Sequence, residues 1–280
     1  MAHRPKTVAV LIAAREILVE FNPMTVRQLY YQLVSQQVID NNRAQYQLVS
    51  RLMVEARKSG DVPWEYIEDR LRRPREVSMW HGLSDFAETV RRAYRRDVWP
   101  TQPRYVEVWL EKDALSGIFE DVLRPYGVTL CVGRGYDGWD SIHNAADRYQ
   151  YHGSRCDSGE VSVLYFGDFD PSGEDMVRSL EERLNFFEVW PDLRKVALTY
   201  DDIQRYQLPP DPTKASDSRS VAHVAKWGDL AVELDALPPD VLRDRIKTEV
   251  EAILDLETLQ VCRQVETEER QKIVDLMKSV

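Results

Sequence analysis

The chain of 280 residues is poor in cysteine, in histidine and in long apolar runs. Its three cysteines, Cys131, Cys156 and Cys262, lie far apart and lack metal-ligand spacing, which argues against a disulfide framework and a zinc site. The five histidines are scattered along the chain. No apolar run approaches the length needed to cross a bilayer, and the N-terminal residues lack the apolar core of a signal peptide. We therefore expect a cytoplasmic protein with reduced thiols and no membrane partner.

The net charge of −10 is unevenly distributed along the chain. Residues 1–104 carry 17 Lys and Arg against 12 Asp and Glu, whereas the remainder carries 20 against 35. A basic front half and an acidic rear half are typical of a DNA-contacting module joined to a metal-binding module, although an ordinary solvated surface gives the same imbalance. The length is sufficient for two domains, each with its own core.

The front part, residues 1–100, is predicted to be a DNA-binding domain. Apolar spacing predicts helices over 5–20, 26–36 and 43–58, and the alternation in WEYIEDR, residues 64–70, indicates a short strand. A further helix is predicted over 83–96, with Leu83, Phe86, Val90 and Tyr94 facing inward. Three helices and a strand fit a winged helix-turn-helix, although a plain helical bundle gives much the same pattern. The candidate DNA-binding residues, on the third helix and in the arginine cluster after the predicted strand, are Arg43, Arg51, Arg57, Lys58, Arg72 and Arg73.

The rear part, residues 101–280, has the pattern of an α/β domain. Segment 97–103 holds two prolines and no periodicity, so we place the domain boundary there. Strands are predicted at 105–110, 128–132, 161–166 and 195–200, and helices alternate with them. This alternation predicts a parallel sheet, followed by a charged helical extension from about Pro239.

Acidic side chains follow two of the predicted strands. Glu111 comes directly after the run YVEVWL, and Asp168 and Asp170 come after VSVLYF in the turn GDFDPSG. The carboxyl ends of parallel strands meet at one edge of a sheet, where ligands usually bind. Clustered carboxylates repel one another, and a hard cation relieves that repulsion. The sequence therefore predicts a Mg²⁺ site formed by these three acids, with manganese as another suitable ion.

A pair of tyrosines in the second predicted helix is a candidate for nucleophilic chemistry. Tyr30 and Tyr31 point about 100° apart on a helix, so one can pack inward while the other reaches solvent. Arg27 lies one turn before Tyr31, where its charge favours phenolate or binds a phosphate. Packing of both rings in a small helical core is the more common use of such a pair.

Four motifs in order resemble one known family: TVRQLYY (residues 25–31), LEKDA (110–114), VGRGYD (132–137) and GDFDPSG (167–173). Together they resemble the A subunit of topoisomerase VI and its relative, the meiotic double-strand-break transesterase. The resemblance covers roughly residues 20–200. It implies a winged-helix domain carrying a catalytic tyrosine, followed by a Toprim domain that binds Mg²⁺. By this likeness Tyr31 is the nucleophile and Arg27 its partner, and Glu111, Asp168 and Asp170 bind the metal.

The resemblance implies a type IIB topoisomerase-like activity on double-stranded DNA. A homodimer would make staggered double-strand breaks, with the tyrosine of one subunit meeting the metal of the other. The chain is shorter than a typical A subunit and contains no G-x-x-x-x-G-K-[ST] loop, so strand passage would require a separate GHKL-type ATPase partner. It is more similar to reduced, stand-alone A-type proteins. Two other interpretations stay open: a Toprim nuclease that uses water, and a non-catalytic winged-helix DNA-binding protein.

Overall fold

The computed structural model describes residues 5–68, 77–133, 138–210, 220–228 and 230–278. The helices are α1 (Pro5–Phe21), α2 (Val26–Ser35), α3 (Arg43–Ser59), α4 (Leu83–Ala93), α5 (Ser116–Leu123), α6 (Trp139–Gly153), α7 (Pro171–Asn185), α8 (Tyr200–Tyr206), α9 (Ser220–Trp227), α10 (Pro239–Glu251) and α11 (Leu256–Lys278). The strands are β1 (Tyr105–Leu110), β2 (Thr129–Val132), β3 (Val161–Phe166) and β4 (Asp192–Ala197).

The first three helices begin and end where the sequence predicts. Thr25 caps α2 in a capping box with Gln28, and Asn42 caps α3 by accepting the Gln45 N–H at 3.0 Å. Gly60 ends α3 in the left-handed conformation, with φ of 83°, which a residue without Cβ adopts at little cost. These local signals are strong enough to set the helix boundaries from sequence alone.

The short strand predicted over residues 64–70 is wrong in its described part. Residues Trp64–Tyr66 form a 3₁₀ turn, and only Ile67 makes a bridge, to Met24 before α2. The Met24 N–H donates to the Tyr66 carbonyl at 3.1 Å, so the segment closes over the start of α2. In the described residues a 3₁₀ turn thus follows the first three helices of the front part, in place of the predicted strand of a wing.

A parallel sheet forms the centre of the rear part, as predicted. Within the described ranges its strands are arranged in the order β2-β1-β3-β4, and all neighbours pair in parallel. In this register Leu110 at the end of β1 lies opposite both Val132 and Phe166. Every residue of β1 and β3 is buried, because helices and neighbouring strands cover these two central strands. The residues that follow β1 and β3 therefore emerge side by side at one edge.

A charged residue in the middle of β1 is completely buried. Glu107 accepts hydrogen bonds from Trp109 Nε1 at 2.9 Å, from Tyr149 at 2.9 Å and from Arg148 at 2.9 and 3.0 Å. A buried carboxylate needs such partners, since burying an unpaired charge is costly. Cys131 is half-buried beside Glu107, with its Sγ 3.0 Å from Glu107 Oε1. All three cysteines are free thiols.

Two predicted elements are displaced in the structure. The last predicted strand starts earlier and ends at Ala197, because Thr199 and Asp202 form a capping box that starts α8. Helix α4 stops at Ala93, and its Leu83 and Phe86, expected to face inward, are exposed by 67% and 37%. Helix α4 packs instead against α11.

The segment that separates the two predicted domains is packed rather than exposed. Val98 and Trp99 are buried, and the Trp99 ring contacts the Tyr105 ring of β1 with centroids 4.6 Å apart. The buried hydrophobic residues of the front and rear parts form one connected cluster. Among the described residues no helix is both long enough and apolar enough to span a bilayer.

Candidate active site at the carboxyl edge of the sheet

The structure brings Glu111 and Asp168 together at the carboxyl edge of the sheet. The Glu111 N–H donates to the Phe166 carbonyl at 2.9 Å, continuing the β1–β3 pairing by one residue. The Asp168 N–H donates to Glu111 Oε2 at 3.0 Å, and the Tyr165 hydroxyl lies 3.3 Å from the same oxygen. The glutamate predicted from one strand end therefore lies beside the aspartate predicted from the other.

Two glycines allow this close approach. A Cβ at position 167 would lie 2.5 Å from Glu111 Oε2, so a side chain there would displace the glutamate. A Cβ at position 173 would lie 2.2 Å from the Asp168 carbonyl oxygen, which blocks any larger residue in the first turn of α7. The glycines of GDFDPSG thus have a steric role: they let helix α7 and Glu111 pack directly against the Asp168 turn.

Asp170 has a different position from that of the other two predicted ligands. It is the N-cap of α7, where its Oδ1 accepts the Gly173 N–H at 2.6 Å and the Ser172 hydroxyl at 2.8 Å. In the described part of the chain, no three Asp, Glu, His or Cys side chains converge into a metal-binding group. The structure therefore places Glu111 and Asp168 in one cluster and Asp170 at the start of the adjacent helix.

Three charged residues that sequence reasoning missed surround Asp168. Lys112 Nζ lies 2.9 Å from Asp168 Oδ1, 2.9 Å from Glu233 Oε2 and 2.8 Å from Asp235 Oδ2. Lys112 belongs to the LEKDA motif, and the two acids occur as E-x-D shortly before α10. The E-x-D spacing was the available signal, but it lies outside any predicted strand or helix.

The two additional acids reach the site on a segment that we call the acidic strap, residues 230–237. Val232 pairs with Phe169 in an antiparallel bridge, with both N–H···O distances at 2.9 Å. The Leu234 N–H donates to Asp168 Oδ1 at 2.8 Å. Asp235 is completely buried, and its Oδ1 has no hydrogen-bond partner among the described residues. The strap thus covers the Asp168 turn and adds two carboxylates to it.

The second helix contributes Arg27 to the same cluster. The guanidinium of Arg27 forms an ion pair with Glu233, with Nε 2.8 Å from Oε2, and its Nε lies 3.7 Å from Asp235 Oδ2. Its Cζ lies 5.9 Å from the centroid of the Tyr31 ring. Arg27 therefore lies near the Tyr31 ring and connects the tyrosine helix to the strap.

Both tyrosines of the pair are buried, which corrects the expectation that one reaches solvent. Tyr30 is 4% exposed and Tyr31 is 3% exposed, and their rings pack edge to face with centroids 5.1 Å apart. The Tyr30 hydroxyl donates to Asn41 Oδ1 at 2.7 Å. The inward face of α2 is wide enough to take both rings, because α1 and α3 pack on either side of it.

Burial and charge shift the titration of the cluster. Burial raises the pKa of Asp168 to about 7, with a further increase from the Glu111 charge and a partial offset from Lys112. Burial opposes the charge of Lys112, but Asp235, Asp168 and Glu233 outweigh it and raise the Lys112 pKa. Burial also opposes ionisation of Glu233, yet the charges of Lys112 and Arg27 lower its pKa. Lys112 and Arg27 therefore both stay charged at neutral pH.

The donor set at this edge fits a Mg²⁺ ion. Carboxylate oxygens are its preferred protein ligands, and magnesium is commonly bound by one or two carboxylates together with water and substrate phosphates. Glu111 and Asp168 supply two such groups. The Asp168 carboxyl is buried beside a second acid, and a divalent cation would relieve that repulsion. To bind the same ion, the third predicted ligand, Asp170, would have to break or share the hydrogen bonds through which it caps α7.

The predicted DNA-binding residues fall into three groups. Arg43, Arg51 and Lys58 are exposed on α3. Arg57 is half-buried, with its guanidinium 4.7 Å from the Trp64 ring centroid. Arg72 and Arg73 lie outside the described residues, as do positions 134–137 of the VGRGYD motif. Three of the six predicted residues are therefore exposed on α3.

Comparison of the chain with protein-family models, with curated proteins and with solved structures finds no match. The winged-helix, Toprim and topoisomerase assignments thus rest on the four motifs and stay predictions.

Proposed function

We propose that the protein cleaves double-stranded DNA by Mg²⁺-dependent transesterification, with Tyr31 as the nucleophile. One observation carries this proposal: Arg27, on the tyrosine helix, contacts Glu233, which also pairs with Lys112 beside Asp168. Arg27, on the helix of the candidate nucleophile, and Lys112, beside the candidate metal ligand Asp168, thus share one acidic partner.

In the proposed reaction the Tyr31 oxygen attacks a backbone phosphorus and loses its proton. A 5′-phosphotyrosyl bond forms, the bond from phosphorus to the 3′ oxygen breaks, and the leaving oxygen takes up a proton. Arg27, one turn before Tyr31 on the same helix, is placed to contact the phenol or the scissile phosphate. Arg27 and Lys112 also counter the negative charge of the phosphate. A bound Mg²⁺, held by Glu111 and Asp168 with Asp170 as a further ligand, would supply additional positive charge there.

The exposed side of α3 supports the choice of DNA as substrate. Arg43, Arg51 and Lys58 present cationic groups to solvent from one helix, which suits contact with backbone phosphates. Under this proposal the protein acts in the cytoplasm, at the nucleoid in a bacterium. It works as a homodimer, and any ATP-driven strand passage requires a separate GHKL-type ATPase subunit.

A metal-dependent nuclease that uses water is the second candidate. It is favoured by the burial of Tyr31, whose side chain is only 3% exposed and packs against Tyr30. In a nuclease the tyrosine would pack in the helical core or bind DNA, and a metal held by Glu111, Asp168 and Asp170 would activate water. Transesterification instead requires the hydroxyl of Tyr31 to become accessible when DNA binds.

Cleavage of supercoiled plasmid with Mg²⁺ tests the proposal. Replacement Tyr31→Phe should lower cleavage by at least about 1000-fold, because the nucleophile is removed. Asp168→Ala should do the same, and EDTA should abolish cleavage by the unmodified protein. The matched control is Tyr30→Phe, which removes a neighbouring buried hydroxyl. It should cost about 1 kcal/mol of stability and leave cleavage intact.

Analysis of the DNA ends separates the candidates. Denaturation after cleavage should leave protein covalently attached to the 5′ ends if Tyr31 reacts. Normal cleavage by Tyr31→Phe with free 5′ ends would exclude tyrosine chemistry and support the nuclease. Metal-independent binding without cleavage under any condition would support a DNA-binding protein that lacks catalytic activity.

A further inference from the structure

One carboxylate oxygen of Glu233 lies between two cations that come from different parts of the chain. Glu233 Oε2 accepts hydrogen bonds from Arg27, with Nε at 2.8 Å, and from Lys112 Nζ at 2.9 Å. Both guanidinium nitrogens Nε and Nη2 of Arg27 point at this single oxygen. We propose that Arg27 and Lys112 form a binding site for a DNA backbone phosphate, and that Glu233 occupies this site until DNA displaces it. The identity of the ligand as DNA rests on the proposed function.

The charges of the cluster match a phosphate. A phosphodiester carries one negative charge shared by two non-bridging oxygens, and arginine and lysine bind such oxygens through charge-assisted hydrogen bonds. Arginine binds phosphate especially well because its planar group offers several parallel donors. The Glu233 oxygen therefore makes the contacts that a phosphoryl oxygen would make with the same two side chains.

The partners of the two cations differ in exposure. The side chain of Asp235 is 0% exposed, whereas those of Glu233 and Arg27 are 24% and 42% exposed. Lys112 Nζ also contacts Asp235 Oδ2 at 2.8 Å and Asp168 Oδ1 at 2.9 Å. If Glu233 swings into solvent, Lys112 keeps its two buried partners and Arg27 keeps Asp235. The cations would thus stay in place, and Glu233 is the partner that can leave.

The exchange has a clear physical consequence. In the free protein Glu233 neutralises two partly buried cations, whose exposure without a counter-charge would be costly. DNA must compete with this internal carboxylate for the same donors. Removing the carboxylate charge should therefore strengthen DNA binding, although it removes an ion pair from the folded chain.

Fluorescence anisotropy with a labelled duplex in EDTA tests the proposal, since binding is then measured without metal and without cleavage. Glu233→Gln should bind the duplex about tenfold more tightly than the unmodified protein. The matched control is Glu249→Gln. Glu249, in helix α10 and outside the strap, is 23% exposed and pairs with Arg194 at 2.7 Å, so this variant also removes one charge from an arginine pair. The control should change affinity by less than about twofold.

A double-mutant cycle distinguishes two reasons for tighter binding: DNA takes the place of Glu233 on the two cations, or the Glu233 charge simply repels DNA. In an Arg27→Gln background, the gain from Glu233→Gln should fall below about threefold, because one of the two freed cations is missing. An equal gain in both backgrounds would mean that Glu233 only repels DNA, and would overturn the proposal. Unchanged or weaker binding by Glu233→Gln, or no duplex binding by it, would also overturn it.

A thermal melt checks that each variant folds. If Glu233→Gln does not fold, Glu233→Asp takes its place, because the shorter side chain keeps its charge but cannot reach both cations. Glu233→Asp should also bind the duplex more tightly than the unmodified protein. If its affinity does not increase, the proposal is overturned.

The binding result is independent of the proposed chemistry. If Tyr31–DNA adducts form but Glu233→Gln does not bind DNA more tightly, only the displacement proposal is overturned. If Glu233→Gln binds DNA more tightly but the protein never cleaves DNA, only the transesterase proposal is overturned.

Discussion

Asp170 combines two roles at the scale of a single residue. Its Oδ1 caps helix α7 through the Gly173 N–H at 2.6 Å, and the proposed function also makes it a metal ligand. The two roles need different properties of the side chain. An N-cap needs an oxygen acceptor, which asparagine also provides, whereas a metal ligand needs the negative charge.

Replacement of Asp170 separates these roles. We expect Asp170→Ala to lower the free energy of unfolding by about 1 kcal/mol, because the cap hydrogen bond is lost. Asp170→Asn should stay within about 0.5 kcal/mol of the unmodified protein. Both should lose Mg²⁺-dependent plasmid cleavage. Urea denaturation and the plasmid assay measure the two effects, and full cleavage by Asp170→Asn would remove Asp170 from the metal site.

The sequence predicts some site residues well and others not at all. Glu111 and Asp168 follow buried strands, and parallel pairing alone brings them together. Glu233 could not be predicted, because its partner Arg27 is 206 positions away and no periodic pattern connects them. The burial of both Tyr30 and Tyr31 could not be predicted either. Helical spacing gives the angle between the two side chains, but not how much of the α2 surface the neighbouring helices cover.

At the scale of elements, local capping and turn signals decided which boundaries could be predicted. Helices α1 to α3 and strands β1 and β3 agree with the sequence patterns. The strand predicted over 195–200 ends earlier in the structure, because Thr199 caps helix α8. Helix α4 presents a different face from the predicted one, because its partner is α11 near the far end of the chain. Such long-range partners leave no local signal.

One buried carboxylate takes part in the contact of α11 with the segment after α4. Glu266 is 3% exposed, and its oxygens lie 2.6 Å from Arg263 and 2.6 Å from Arg270. Its Oε2 also accepts the Arg96 N–H at 2.8 Å. The carboxylate therefore holds two arginines and a backbone group together between the front part and the C-terminal helix.

We expect Glu266→Ala to lower the free energy of unfolding by about 3 kcal/mol, since it leaves two partly buried arginines without a counter-charge. Urea denaturation measures this change. Glu268→Ala on the exposed side of the same helix is the control, and should cost less than about 0.5 kcal/mol. Equal losses in the two variants would show that Glu266 does not hold the contact.

At the scale of the whole molecule, the front and rear parts meet at the charged cluster. Arg27 of α2 contacts the strap of the same chain, and the buried residues of both parts form one cluster. The resemblance implies an active site shared between two copies, with Tyr31 of one copy meeting Asp168 of the other. The arrangement within one chain and the arrangement across a dimer make different predictions for mixed subunits.

Mixing two inactive variants distinguishes these arrangements. If the site is shared, a dimer of Tyr31→Phe and Asp168→Ala subunits contains one intact site, so the mixture should nick supercoiled plasmid without linearising it. Gel electrophoresis separates nicked from linear circles. Each variant alone is the control and should leave the plasmid supercoiled. An inactive mixture whose subunits exchange would place the tyrosine and the metal of each site in one chain.

The long separation between Arg27 and the strap has a consequence for synthesis on the ribosome. At about 5–20 residues per second, the 206 positions from Arg27 to Glu233 take about 10–40 s to translate. Throughout that interval the nascent chain carries Arg27, and later also Lys112, but lacks Glu233 and Asp235, which pair with both cations in the folded protein. The positive charges of Arg27 and Lys112 therefore lack these two acidic partners until residues 233–235 have been synthesised.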